Sequence, residues 1–138
     1  MNPGPGELRA LLQGARRIAV VGMSKNPEKD AHTIPAYLIA QGYDVVPVNP
    51  SAAEILGRKS HASLRDVPRP VDIVNVFRPS EDVPPIAEDA IAVGAKALWL
   101  QTGIAHAEAA AKARAAGVVV VEDACIRATH RLLLGRGT

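Results

Sequence analysis

Two lysines and an arginine stand beside turn residues in a way that suits an anion. The stretch Gly22-Met23-Ser24-Lys25-Asn26-Pro27-Glu28-Lys29 leaves the apolar run Ile18-Ala19-Val20-Val21 and leads into a helical pattern. Glycine at such a turn lets backbone N–H groups approach a phosphate, and the following helix N-terminus adds partial positive charge. Lys25 and Lys29 would reinforce that site. The same residues also fit an ordinary turn with solvated lysines, because the other glycines of the dinucleotide fingerprint are missing and no P-loop pattern is present.

Other loops add to this chemistry. Phe77-Arg78-Pro79 offers a permanently charged, forked donor set beside an aromatic ring that can cover an adenine or a thin apolar arm. A surface arginine next to a core phenylalanine reads the same way. Asn49-Pro50 ends another apolar run at the place where NAD binding usually needs an acidic residue for the ribose, so ordinary NAD chemistry is disfavoured while an arginine-based NADP site stays open. Gln101-Thr102-Gly103-Ile104 can bring an amide near the same mouth, with Trp99 before it assigned to the core. Cys125 follows Glu122 and Asp123, and nearby carboxylates raise a thiol pKa, which argues against a nucleophile there.

No catalytic residue is assigned. His32, His61, His106 and His130 lack metal-ligand spacing, so no metal site is assigned either. His106 is expected to face water, and His32, which could meet a ligand phosphate, is expected rather to serve as a cap or surface residue. No serine sits in a nucleophile elbow and no carboxylate pair stands out.

The elements that must position these loops follow from periodicity. Leu8, Leu11, Leu12 and Ala15 mark a short amphipathic helix within residues 1–16. Ile18–Val21, Val45–Val48, Val71–Phe77, Lys96–Leu100 and Val118–Val121 read as strands, several of them unbroken apolar runs of the kind buried on both faces. Between them, Thr33 is expected to cap a helix running to about Gln41, with Pro35 in its first turn. Ile86–Gly94 and Ala105–Ala116 supply two more helices. Pro47 is expected near the end of its strand, where pairing stops, and a helical turn is expected at Ser63–Asp66. The residues after Asp123 read only as a basic tail. Five strands alternating with helices predict right-handed crossovers and an α/β fold in three layers, a mainly parallel five-stranded sheet with helices on both faces. Ligands of such sheets lie outside the carboxyl ends of the strands.

At 138 residues the chain is expected to be one domain, with a core over 17–134 and no linker. A net charge of +2 with scattered basic residues, and aromatics confined to Tyr37, Tyr43, Phe77 and Trp99, exclude a nucleic-acid footprint or stacking platform. No apolar run is long enough to span a membrane, no secretory signal opens the chain, and the single cysteine fits a reducing compartment, so a cytoplasmic location is expected.

Taken together, Val20-Val21-Gly22-Met23-Ser24-Lys25-Asn26-Pro27, Gly42–Pro50, Val76-Phe77-Arg78-Pro79, Trp99–Ile104 and Val121–Cys125 resemble the small CoA-binding proteins of the succinyl-CoA synthetase-like group, over about Arg17 to Leu134. The resemblance implies a Rossmann-like domain that binds coenzyme A or an acyl-CoA, with its nucleotide part over the first and third loops. Gly22, Met23, Ser24 and Lys25 would then meet the diphosphate. Phe77, Arg78 and Pro79 would line the adenosine or pantetheine side, with Asn49 and Pro50 shaping the floor between. The synthetase's phosphorylated histidine lies in a second domain with no counterpart here, so ligase activity is not expected. Ala124 and Thr129 depart from the arginine and acid that the group often carries around its cysteine. An NAD(P) site, or a redox role for Cys125, is the alternative, and the resemblance names no protein partner.

Overall fold

The computed structural model describes residues 2–135. In chain order run α1 (Pro5–Gly14), β1 (Arg17–Val21), α2 (Asp30–Ala40), β2 (Asp44–Val48), a short hairpin of β3 (Glu54–Ile55) and β4 (Arg58–Lys59), β5 (Ile73–Val76), α3 (Val83–Ala92), β6 (Ala97–Leu100), α4 (Ala107–Ala115), β7 (Val119–Val121) and α5 (Ile126–Leu134). Five strands make one parallel sheet in the order β2-β1-β5-β6-β7. The chain winds outward from β1 in one direction and from β5 in the other, so the exits of these two neighbours part. That reversal is where ligands of doubly wound sheets bind.

Alternation along the strands sorts the core into two layers. Ile18, Val20, Ile73 and Trp99 pack with Leu12 of α1, Ile34 and Leu38 of α2 and Ile126 of α5. Ala19, Val74, Leu98 and Val120 face the other way, against Val83, Ala87 and Ala90 of α3 and Ala109, Ala110 and Ala113 of α4. The alanine-rich strip of α4 therefore brings that helix close to the sheet rather than merely favouring helix. Burial of a single large aliphatic such as Leu12 contributes about 1.5–3 kcal/mol, which fixes α1 across the first layer.

The helix after β1 begins earlier than Thr33. Lys29 is its N-cap, without a side-chain cap bond, and Pro35 lies inside rather than in the first turn. A proline there has no N–H for the carbonyl of Ala31 four residues back. That carbonyl accepts instead from the Ser24 N–H at 3.0 Å, so the break in the helix ladder ties down the loop after β1.

Pro47 lies near the end of its strand, as expected, but pairing does not stop there. It sits within β2, opposite Val20, and pairing continues through it. β2 is an edge strand in which alternate residues turn toward β1, as Val48 does by accepting from the Gly22 N–H. Pro47 turns outward, its carbonyl accepting from the His61 N–H, so its missing donor costs no ladder bond. The turn expected at Ser63–Asp66 is a 3-10 helix over Leu64–Asp66, with the Ser63 hydroxyl accepting from the Arg65 N–H.

The expected basic tail is the helix α5. Arg127 and Arg131 lie among its polar positions, while Ile126 and His130 are buried toward α1 and α2. His130 Nδ1 is 2.7 Å from the Tyr37 hydroxyl, and its ring meets Tyr37 and Tyr43 edge-on. Burial lowers the His130 pKa below its usual 6.5, and burial, with Tyr37 beside it, pushes the Tyr43 hydroxyl up to about 12. This polar cluster docks α5, and with it Cys125, onto the first layer.

Candidate functional site

The loop after β1 must turn sharply against the exit of β5, and Gly22 makes that possible twice over. Its φ is +85°, a region costly to residues with a Cβ, and an added Cβ would stand 2.8 Å from the Phe77 carbonyl oxygen. The sequence suggests that glycine lets a phosphate approach. The structure adds that it lets the third loop approach the first.

From Gly22 onward the loop is held by its own polar groups. The Ser24 hydroxyl accepts from the Asn26 N–H, and the Asn26 side chain accepts from the Glu28 N–H. His32, in the first turn of α2, contacts the Ser24 carbonyl through Nδ1 at 2.7 Å, so it braces the loop. Asn49 ties the second loop to the first: its Nδ2 donates to the Met23 carbonyl at 2.9 Å while its Oδ1 accepts from the Ser51 N–H. The Gly22 and Ser24 amides are spent within the protein. The Met23 and Lys25 amides donate no hydrogen bond among the described residues.

These loops surround a cavity of about 910 Å³ at the carboxyl ends of β1, β2 and β5. All the residues nominated from the sequence line it, except Pro79. Met23 borders it as a fully buried residue, backbone included. Sequence reasoning did not place Ser51, Ala52, Ala62, Pro85 and Ile86 at the wall, since they reach it from an irregular stretch and from α3. Lys29 came with the anion loop, and it lines the cavity with Lys25 and Arg78 against one acid, Asp82. Neither lysine forms an ion pair among the described residues. Arg78 does: its Nη2 lies 2.8 Å from Asp82 Oδ2, with both side chains about half exposed. The remaining guanidinium N–H groups are available to a ligand, and the excess of positive charge at this mouth suits an anion.

Pro79 lies in a neighbouring cavity of about 540 Å³, which shares Lys29, Ala31, Phe77 and Arg78 with the first and extends over Gln101, Thr102, Ile104 and Cys125. Trp99 is fully buried, as expected, its indole N–H donating to the Ala124 carbonyl at 2.9 Å. His106, expected to face water, is half-buried and caps α4, Nδ1 accepting from the Ala109 N–H. The acids before Cys125 are turned away to structural tasks: Asp123 accepts from the Gly103 N–H, and Glu122 from the His106 N–H. Among the described residues, no cluster of His, Cys, Asp or Glu suits a metal ion, and no helix is long and apolar enough to cross a membrane.

Residues 16–131 match the model of a family described as the CoA binding domain. An uncharacterized Bacillus subtilis protein, YneT, is 40% identical over 129 residues, which is 94% of this chain and 96% of its own. A protein from Thermus thermophilus, cell-free ID.343, is 41% identical, with a TM-score of 0.92 over 96% of this chain and all of its own. A dinucleotide-forming acetyl-coenzyme A synthetase 1 from Ca. Korarchaeum cryptofilum, in complex with phosphate and ADP, is 30% identical with a TM-score of 0.66, over 75% of this chain and 25% of its own.

Proposed function

From the premise that this chain belongs to the CoA-binding domain family, we propose that it binds coenzyme A or an acyl-CoA in the paired cavities and performs no chemistry of its own on the ligand. The observation that carries this reading is the cavity between the parting exits of β1 and β5, where Lys25, Lys29 and Arg78 outnumber Asp82. The diphosphate lies over the loop after β1, against the Lys25 ammonium group and the unspent Lys25 amide. Phe77, Arg78 and Pro79 separate the two cavities and line the path from nucleotide to arm. Asn49 and Pro50 form the floor, Asn49 holding the first loop in place rather than bonding the ligand. The similarity to an acetyl-coenzyme A synthetase supports the choice of cofactor. Asn49 at the end of β2 supports it over NAD, since it supplies no carboxylate for the ribose. The lone Cys125 agrees with a role in the reducing cytoplasm.

Thermal unfolding with CoA, NAD, NADP and ATP tests the reading. A ligand at ~100 times its dissociation constant stabilises by roughly 2.7 kcal/mol, an easily read rise in Tm. A rise with CoA that exceeds those with the other three is expected. Stabilisation by NAD or NADP with none by CoA overturns it.

A further inference from the structure

The second cavity contains a polar arrangement that the binding of a nucleotide does not use. Gln101, at the carboxyl end of β6, is 4% exposed and lines this cavity. Its Oε1 accepts two hydrogen bonds, from the Ile126 backbone N–H at 3.0 Å and from Asn75 Nδ2 at 3.0 Å. A backbone N–H can only donate, so the orientation of the carboxamide is settled: oxygen toward α5 and β5, nitrogen toward the cavity. No hydrogen bond from Gln101 Nε2 exists among the described residues.

Asn75 makes this arrangement costly, and therefore informative. It is fully buried in the middle of the central strand β5, where every neighbouring strand residue is apolar. It donates to Gln101 and, at 3.4 Å, to the Trp99 carbonyl, and its own Oδ1 has no partner. A buried acceptor left unpaired destabilises the fold, and an aliphatic residue would avoid that. What the asparagine achieves is a locked Gln101 with one donor group facing open space.

We propose that the second cavity receives the sulfur end of the ligand and that Gln101 Nε2 donates to the carbonyl oxygen of an acyl thioester, so that the protein prefers a short acyl-CoA to free CoA. The proposal rests on the reading of the preceding section and specifies its ligand. The cavity adjoins the anion site through Phe77 and Arg78, which gives an arm leaving the diphosphate a direct route. Ile34, Phe77 and Ile104 supply apolar wall for the acyl group, and Cys125 adds a small polarizable one. Gln101 is thus a specificity-determining residue; it moves no proton.

Calorimetric titration of the whole chain with acetyl-CoA, CoA and S-ethyl-CoA tests this, because the thioether matches the thioester in size but lacks its carbonyl. Acetyl-CoA is expected to bind roughly three- to tenfold more tightly than S-ethyl-CoA, the range of one neutral hydrogen bond. Gln101→Glu keeps an oxygen for Ile126 and Asn75 and presents an acceptor where the donor was; it should abolish the difference between thioester and thioether. Equal binding of thioester and thioether to the wild-type protein overturns the proposal, as does a difference that survives in a folded Gln101→Glu. The wild-type comparison decides the matter if that variant does not fold. If none of the three ligands binds, the preceding reading falls as well; if all bind alike, only this one does.

Discussion

Asp72 and Gln101 stand at opposite ends of the same sheet and use their side chains in opposite ways. Asp72, just before β5, accepts from the Arg16 and Arg17 backbone N–H groups at 2.8 and 2.9 Å and lies 3.4 Å from Lys96 Nζ. Its own carbonyl takes the Lys96 and Ala97 amides. The amino ends of β1, β5 and β6 are thereby sewn to one carboxylate whose oxygens are both engaged. At the carboxyl ends the pattern is different: among the described residues the Lys25 amide, the Lys25 and Lys29 ammonium groups and Gln101 Nε2 have no partner within the protein. One end satisfies its polar groups internally and serves stability. The other leaves donors over, which is what the proposed ligand site requires.

The strongest way to break this division is to close the carboxyl end sterically. Gly22→Ala places a Cβ 2.8 Å from the Phe77 carbonyl and forces a non-glycine residue to φ +85°. The backbone alone costs about 1–3 kcal/mol, and the overlap must be relieved by moving the first or third loop. Both stability and CoA affinity should fall, the affinity by about a hundredfold or more, because those loops carry the proposed anion site. Urea unfolding together with titration of CoA reads both. Unchanged affinity would show that the approach of Gly22 to Phe77 does not shape the site.

Arg78→Ala should separate the two properties. A charge-assisted contact to phosphate contributes about 1.5–3 kcal/mol. Part of that is offset by releasing Asp82, so the expected loss is nearer tenfold than a hundredfold in CoA affinity, with folding almost unchanged at this half-exposed position. Equal CoA affinity in the variant would remove Arg78 from the site.

Asp72→Asn should do the converse, lowering stability by about 1–2 kcal/mol at neutral pH while leaving CoA affinity intact. Burial raises the Asp72 pKa, but the Arg17 and Arg16 N–H bonds and Lys96 outweigh it and hold the carboxyl below its ordinary 3.8. Its folded pKa being depressed, the wild-type protein holds this stability fully above the unfolded value and loses it as pH falls through the folded one. The gap between wild type and variant should therefore be constant from neutral pH down to about pH 4–5 and close below that. A gap that widens on acidification contradicts this account of Asp72.

Much of this division was legible in the sequence. Ile18–Val21 and Val118–Val121 are runs that only a strand covered on both faces would carry, and once the strands are ordered, the loops containing Gly22, Asn49 and Arg78 must share one edge. Three features were not legible, each for a reason of distance or chemistry. The helix after β1 starts at Asp30 because of its tertiary contacts, Pro35 giving up the Ala31 carbonyl to Ser24, whereas Thr33 is the residue with the cap-forming side chain. α5 reads as a basic tail because its buried anchors include a histidine, paired with Tyr37 far earlier in the chain, while Leu132 is exposed. The direction of Gln101 depends on Asn75 and on the Ile126 amide, neither of which is its neighbour in sequence.

The smallest expected effect tests whether the carboxyl end is tuned as well as open. Asp82 is the one acid lining the first cavity, four residues after Arg78 and ion-paired with it. It preorients the guanidinium, which favours binding, and it places a negative charge beside the phosphates, which opposes it. An exposed pair of this kind contributes at most about 1 kcal/mol, so the orienting gain is small. Repulsion from a ligand that carries several negative charges acts over a Debye length of about 10 Å at 0.1 M salt and is felt by more than one phosphate. The charge effect should prevail, and Asp82→Asn should tighten CoA binding roughly two- to fivefold at low salt, with the gain fading as salt is raised. Titrations of wild type and variant across a salt series measure this. Weaker binding by the variant at every salt concentration would mean that Asp82 serves mainly to aim Arg78, and that the carboxyl end, like the amino end, depends on an internal ion pair.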